Sequence, residues 1–251
     1  MTLHLIELPL VLRDLHVWAG ERDLGDGFDE GVALQHLLGE VFGPAGLQPF
    51  RLMVSPRGRT GTLYAYARDD ADTLRATALA ILTPGRAAAI GLDRLRSIPR
   101  PPETWKVGQR LGFDVRLRPV VRLHADLAGT TRDGTSVLFR KGAEVDVFLA
   151  RRLRGEAVTR EDACLDWLAD RLAPAARLER SASELSSFRR VRAVRGRRHL
   201  EGPDATIHGT LTVADPAAFA AMLARGIGRH RAYGYGMLLL RPPRRTRSPG
   251  E

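Results

Sequence analysis

Three stretches of the sequence hold side chains that could do chemistry on an anion. Residues 226–240 read GIGRHRAYGYGMLLL, with four glycines set among Arg229, His230, Arg231, Tyr233 and Tyr235. Glycine lets a backbone turn sharply and approach a ligand closely. Successive amides in such a turn cradle an anion, and arginine supplies the charge and the planar fork to hold it. Gly226, Gly228, Arg229, His230, Arg231, Tyr233, Gly234 and Gly236 therefore make a candidate phosphate-contacting loop. A simple turn before a closing strand has the same composition.

The second stretch is FRRVRAVRGRRH, with Arg189, Arg190, Arg192, Arg195, Arg197, Arg198 and His199. On a strand, Arg190 and Arg192 share one face and Arg189 lies on the other with Val191. Charge on an edge strand also blocks aggregation. Seven cationic or ionisable residues in eleven exceed that need and point to RNA contact.

The third stretch is ALQHLLGEVF, which carries His36. Imidazole can donate or accept a proton near neutral pH. Leu34, Leu37, Leu38 and Val41 share one helical face, which must be the core. His36 lies roughly 200° around from Leu34 at about 100° per residue, so it points away from that core.

The remaining candidates are weaker. The acids of DLGDGFDE, residues 23–30, sit at a helix start, where acids stabilise the N-terminus, and a metal site there is not expected. Cys164, the only cysteine, stands in ACLDWLA as a packing residue and excludes disulfide scaffolds and cysteine-ligated zinc. His4, His16, His124, His199 and His208 are scattered, and no role is assigned to them. No cofactor motif of the GxxxxGK[ST] type and no serine-nucleophile motif occurs.

The elements that must position these residues are visible in the apolar periods. LHLIELPLVL reads as a strand and FDEGVALQHLLGEVFG as a helix from Asp29 to Gly43. FRLMVS and GTLYAYA read as strands, DDADTLRATALAIL as a helix capped by Asp69 or Asp70 with Pro84-Gly85 beyond its end, and LRSI as a closing strand. That order, β-α-β-β-α-β, is the ferredoxin-like arrangement. After the linker IPRPPETWKVG the order recurs. QRLGFDVRLRPVVRL is a strand or strand pair, and EVDVFLARRL and TREDACLDWLADRLA are helical, the second capped by Thr159. FRRVRAVRG and ATIHGTLTVAD are strands joined by RRHLEGPD, and Pro216 opens a last helix before MLLLR. The expectation is an α+β chain of two tandem ferredoxin-like folds, residues 1–100 and 107–242, with 243–251 a disordered basic tail.

The chain has 251 residues, 44% of them apolar, with a formal net charge of +10. Residues 1–40 hold eight acids against two bases, and residues 177–251 hold fifteen arginines against six acids. Such asymmetry predicts one face for an anionic polymer. No run is long enough for a membrane span, and the start reads as a strand rather than a signal peptide. A reducing cytoplasm fits. Duplicated sheet-plus-helix units are a common RNA platform. Only 6% of residues are aromatic, which favours backbone and shape recognition over base stacking.

GIGRHRAYGYGMLLL resembles the C-terminal glycine-rich signature of the CasE-type CRISPR repeat endoribonucleases. LEGPDATIHGTLTVADPAAFAAMLARG is similar to that family's approach to the loop. EVDVFLARRL…TREDACLDWLADRLA and FDEGVALQHLLGEVFG also resemble family segments. The resemblance covers most of the chain and implies two ferredoxin-like folds that bind the stem-loop of a CRISPR repeat RNA. It also implies metal-independent cutting at the base of that hairpin by 2′-hydroxyl attack, with cyclic-phosphate and 5′-hydroxyl ends. Further, it implies retention of the product within the Cascade complex, with the backbone subunit as neighbour.

In that family the catalytic histidine lies on the first helix, and His36 occupies the matching place. Some members carry a tyrosine three residues earlier, where this chain has Ala33. A second proton-transfer group would then come from His230, Tyr233, Tyr235, Arg13 or Arg22. The departure at Ala33 leaves open a subunit that holds the hairpin without cutting it. An unrelated structural RNA-binding protein on the same duplicated fold is the third possibility.

Overall fold

The computed structural model describes residues 2–22, 28–56, 58–131, 134–195 and 198–243, with backbone alone at 192–195 and 198–200. The expected tail and Arg197 lie outside the described residues, as do the side chains of Arg192, Arg195 and Arg198.

The first unit runs β1 (Leu3–Val11), α1 (Leu12–Gly20), α2 (Glu30–Phe42), β2 (Phe50–Val54), β3 (Thr60–Ala67), α3 (Ala71–Leu79), α4 (Pro84–Ala89) and β4 (Arg96–Arg100). Its antiparallel sheet has the order β2-β3-β1-β4. Alternation along β1 buries Ile6, Leu8 and Leu10 on one face, as a half-buried strand must. Asp29 caps α2, its Oδ1 accepting from the amides of Gly31 and Val32 at 2.9 and 3.1 Å. Asp70, not Asp69, caps α3 through the Thr73 amide at 2.9 Å.

The second unit runs β5 (Arg110–Leu117), β6 (Val120–Arg122), β7 (Leu127–Thr130), β8 (Ser136–Phe139), β9 (Glu144–Asp146), α5 (Val147–Leu153), α6 (Arg160–Leu172) and β10 (Ala176–Leu178). It continues with β11 (Glu184–Arg195), β12 (Arg198–Val213), α7 (Pro216–Arg225) and β13 (Leu238–Arg241). The main path is β10-β12-β5-β13, with β11 also on β12. If β6–β9 with α5 and the β11 arm are set aside as insertions, the order repeats that of the first sheet. Both units are ferredoxin-like, in tandem.

Each sheet buries its own core, but the second core also contains Leu3 and Tyr66 of the first unit. Tyr66 Oη donates to the Leu238 carbonyl at 3.1 Å across the seam. Arg51 of β2 lies 2.8 Å from Asp114 of β5, and both side chains are nearly buried. Asp114 also meets His208 Nε2 at 2.6 Å.

Several local readings need correction. LRDLHVWAG, which continues the apolar run read as a strand, is helix α1, and Pro84-Gly85 lies beyond the end of α3, as expected, but opens a further helix, α4. EVD is strand β9 before α5 begins. RRHLEGPD does not simply join two strands, because Arg198–Asp204 belongs to β12 and pairs with β11.

Candidate nucleic-acid interface

The glycine loop leaves α7 at Gly226 and settles into the seam between the two units. Gly226, Gly228, Gly234 and Gly236 all have φ between 75 and 81°, a region costly for other residues. Close approach adds to that constraint at Gly236, where a Cβ would run into the Ile227 carbonyl. The loop is closed by Ile227 N to Gly236 O at 2.8 Å and tied to β5 by Gly236 N to Arg116 O at 2.7 Å. Its 3-10 turn, Arg231–Tyr233, rests on α2, so a Cβ on Gly31 would lie 2.7 Å from the Tyr233 carbonyl. Gly226, Gly234 and Gly236 are buried. They shape the loop, and its outward surface belongs to Arg229, Arg231 and Tyr233, the His230 side chain being only 11% exposed.

His230 is itself left-handed, with φ 63°. Its Nε2 lies 3.1 Å from Glu144 Oε2, and Arg229 meets the other oxygen. Burial pushes the Glu144 carboxyl up, but the hydrogen bonds from His230 and Arg229 outweigh it and hold it below its usual range. The inserted strand β9 thereby anchors the tip of the loop.

Beside the loop stands a cluster that the sequence reading missed. Arg116 binds Asp204 through two hydrogen bonds of 2.8 Å and lies over the Tyr235 ring at 4.6 Å. Arg189 donates to the same carboxylate at 2.7 Å. Burial opposes ionisation of Asp204, yet Arg116 and Arg189 together keep its carboxyl below the ordinary range. Glu30, opening α2, is pushed up by burial, while Arg116, His16 and Arg189 pull the other way. Arg118 is buried against Gly202, where a Cβ would strike its guanidinium. The signal for Arg116 and Arg118 was present. In FDVRLRP they alternate with Phe113, Val115 and Leu117, which face the core.

Arg189 thus spends part of its charge on Asp204, and Arg190 pairs with Glu201 at 3.1 Å. Both side chains remain more than half exposed, at 67% and 54%. Strand pairing continues to Arg195 opposite Arg198, so the arginine stretch forms a two-stranded arm.

His36 is exposed on α2, and Leu34, Leu37, Leu38 and Val41 are buried as the helical phase predicts. The same phase separates His36 from the loop. Gly31, which touches Tyr233, shares an i, i+4 ridge with Gln35, whereas His36 shares its ridge with Val32 and Glu40. Glu40 is occupied by Arg22 at 3.0 Å and Arg86 at 2.7 Å. Ala33 is fully buried. Arg22 is thus committed to Glu40, Arg13 is exposed on α1, and Tyr235 is buried under Arg116. His230 and Tyr233 stand together in the loop, their rings 6.3 Å apart and the His230 side chain turned in toward Glu144. Cys164 is buried, its thiol pushed up to about 12. Among the described residues no group of three or more histidines, cysteines or acids is placed to hold a metal ion, and no helix is long and apolar enough to cross a membrane.

A duplicated ferredoxin-like scaffold whose seam gathers a glycine loop and arginines is the class of protein that the fold and the site define. The family model described as CRISPR associated protein matches residues 3–242, and the chain belongs to that family. None of the curated proteins matches it. Among solved structures it is similar to the CRISPR endoribonuclease Cse3 bound to a 19-nucleotide RNA. The two share 21% identity at a TM-score of 0.61, over 96% of this chain and 100% of that one. It is also similar to the CRISPR-associated protein Cas6e from Escherichia coli K-12, with 18% identity and a TM-score of 0.52 over 96% and 100%. A chain of a CRISPR RNA-guided surveillance complex in its pre-nicking state matches at 17% identity and a TM-score of 0.51, over 95% and 99%.

Proposed function

We propose that this chain binds the stem-loop of a CRISPR repeat RNA at the seam and cuts precursor CRISPR RNA at the base of that hairpin. The observation that carries this reading is the convergence of the glycine loop, the N-terminal turn of α2 and the arginine arm. Arg229, Arg231 and the arm's arginines would hold phosphates, and the loop would set their position. The related Cse3 was solved with RNA bound, which supports the same ligand class here.

In the reaction a ribose 2′-oxygen bonds to the adjacent phosphorus as its proton passes to a base. The bond to the 5′-oxygen breaks, and that oxygen takes a proton from an acid. The products are a 2′,3′-cyclic phosphate and a 5′-hydroxyl, and the chemistry needs no metal. His36 would serve one of the two proton transfers. The hairpin product would then stay bound within a surveillance complex, beside its backbone subunit, as the match to such an assembly supports.

One specific observation favours a second reading, a subunit that holds the hairpin without cutting it. Gln35, not His36, follows Gly31 on the ridge nearest the loop, and buried Ala33 offers no proton. Incubating wild type and His36→Ala with repeat RNA and mapping the ends separates the two. The first reading expects equal affinity and a cleavage rate lower by roughly 10²–10⁴. It also expects cleavage to survive a chelator and to stop when the 2′-hydroxyl is replaced by hydrogen. Tight binding with no cleavage by wild type establishes the second reading.

A further inference from the structure

Three concavities adjoin one another through shared lining residues, the first of them also touching Ala45 and Gln48 of the first unit. The cleft beside the glycine loop, about 570 Å³, and a cavity of about 110 Å³ are both lined by Glu144 and His230. That cavity and a groove of about 1070 Å³ are both lined by Leu149 and Arg190. The groove runs between the β7–β8 hairpin and the α5–α6 pair, and no residue of α2 lines it.

Arginines stand at every stage of this series. Arg229 and Arg231 line the cleft, Arg118 and Arg190 the cavity, and Arg152 and Arg160 the groove. The acids along it are each answered by one of them: Glu144 by Arg229, Glu201 by Arg190 and Asp146 by Arg160. Arg152 and Arg231 bond backbone carbonyls instead of carboxylates, so positive charge is left in excess. Arg160 is fixed in place, bonded to Asp146 at 2.6 Å and packed between the rings of Phe148 and Phe188 at 4.3 and 3.9 Å.

The walls of the groove differ in chemistry. One offers Phe148, Leu149, Leu153 and Val158, and the other Thr130 and Thr135 with Thr131, whose hydroxyl donates to the Thr135 carbonyl at 2.9 Å. Apolar surface for unstacked bases, beside arginines and hydroxyls for phosphates and riboses, is the pattern that binds a single strand. A duplex keeps its bases stacked inside and would use only the rim.

We propose that this groove binds a single-stranded RNA segment flanking the hairpin, led there from the glycine loop over the surface past Arg190. The proposal rests on the hairpin-binding reading above, and its test is chosen to fail separately. Affinity is measured for three RNAs, the bare stem-loop and the stem-loop with a 5′ or a 3′ single-stranded flank, and for the flank sequence alone. Wild type is compared with Arg152→Glu, an exposed position whose folding is checked by thermal melting. One flank, and not the other, should tighten binding about tenfold, and Arg152→Glu should remove that gain while leaving the bare stem-loop unchanged. A 4-thiouridine in the favoured flank should crosslink to residues 147–160.

Equal gain from both flanks, no gain from either, or equal loss with every RNA would each overturn the groove. A crosslink confined to other segments would do the same, and would leave the groove to a protein neighbour. If the stem-loop fails to bind, the hairpin reading falls and the flank alone decides. Its binding, lost in Arg152→Glu, keeps the groove, and no binding removes it.

Discussion

Asp204 carries two arginines on one buried carboxylate, which makes it the residue on which the geometry of the interface turns. Asp204→Asn would keep its size but leave Arg116 and Arg189 facing a neutral group. Removing one partner of a buried ion pair costs about 3–5 kcal/mol, and the melting temperature should fall accordingly. The pH dependence has a definite sign. Asp204 and Glu144 ionise more readily folded than unfolded, so they add stability above the unfolded carboxylate range near 4. That stability disappears as the pH falls through their lower folded values. Melting temperature followed from pH 7 to 3 should drop less steeply in Asp204→Asn than in wild type, and parallel curves would show that the carboxylate is not linked to folding. Gly31 matters at the same scale. Gly31→Ala would push its Cβ into the Tyr233 carbonyl, shifting the loop off α2. RNA affinity should fall more than the melting temperature does.

At the scale of elements, the arm of β11 and β12 offers charge beyond the body of the second sheet. Binding that neutralises phosphates releases counterions, so affinity falls steeply with salt. Arg190→Ala should weaken RNA binding across sequences and reduce the slope of log affinity against log salt by about 1. An unchanged slope takes Arg190 out of the contact. The elements also show what a sequence does and does not disclose. The phase of α2 was legible because its apolar spacing is strict and Asp29 supplies a cap. The helix α1 was not, since Val11 before it makes no side-chain cap and its residues continue the apolar run of β1. Pro84 looked like a stop, although proline suits a first turn equally well. Gly202 and Pro203 looked like a turn, yet they lie in β12 beyond the end of β5, where a ladder tolerates them. His36 shows the same limit at the site. Its direction relative to its own core could be read, but which ridge of α2 would meet the loop depends on contacts made by residues two hundred positions away.

On the scale of the whole molecule, the two units are joined at Tyr66–Leu238, at Arg51–Asp114 and by the glycine loop. Arg51 and Asp114 are close but not aligned as a hydrogen bond, so their attraction is mainly that of charges in a poorly solvated place. Asp114→Asn should lower the melting temperature by roughly 2–4 °C for each kcal/mol lost, and limited proteolysis should then begin to separate the two sheets. The order in which the parts are made has a consequence of its own. Domains fold largely as they leave the ribosome, the N-terminal one first, so the first sheet is complete while its partner surface does not yet exist. The arm of β11 and β12 follows, and the glycine loop comes later still, between α7 and β13. On the function proposed above, a nascent chain therefore passes through a stage that holds the arm's charge without the loop that would position an RNA. Translation cut short before Gly226 would then release a fragment that is still basic but lacks the loop.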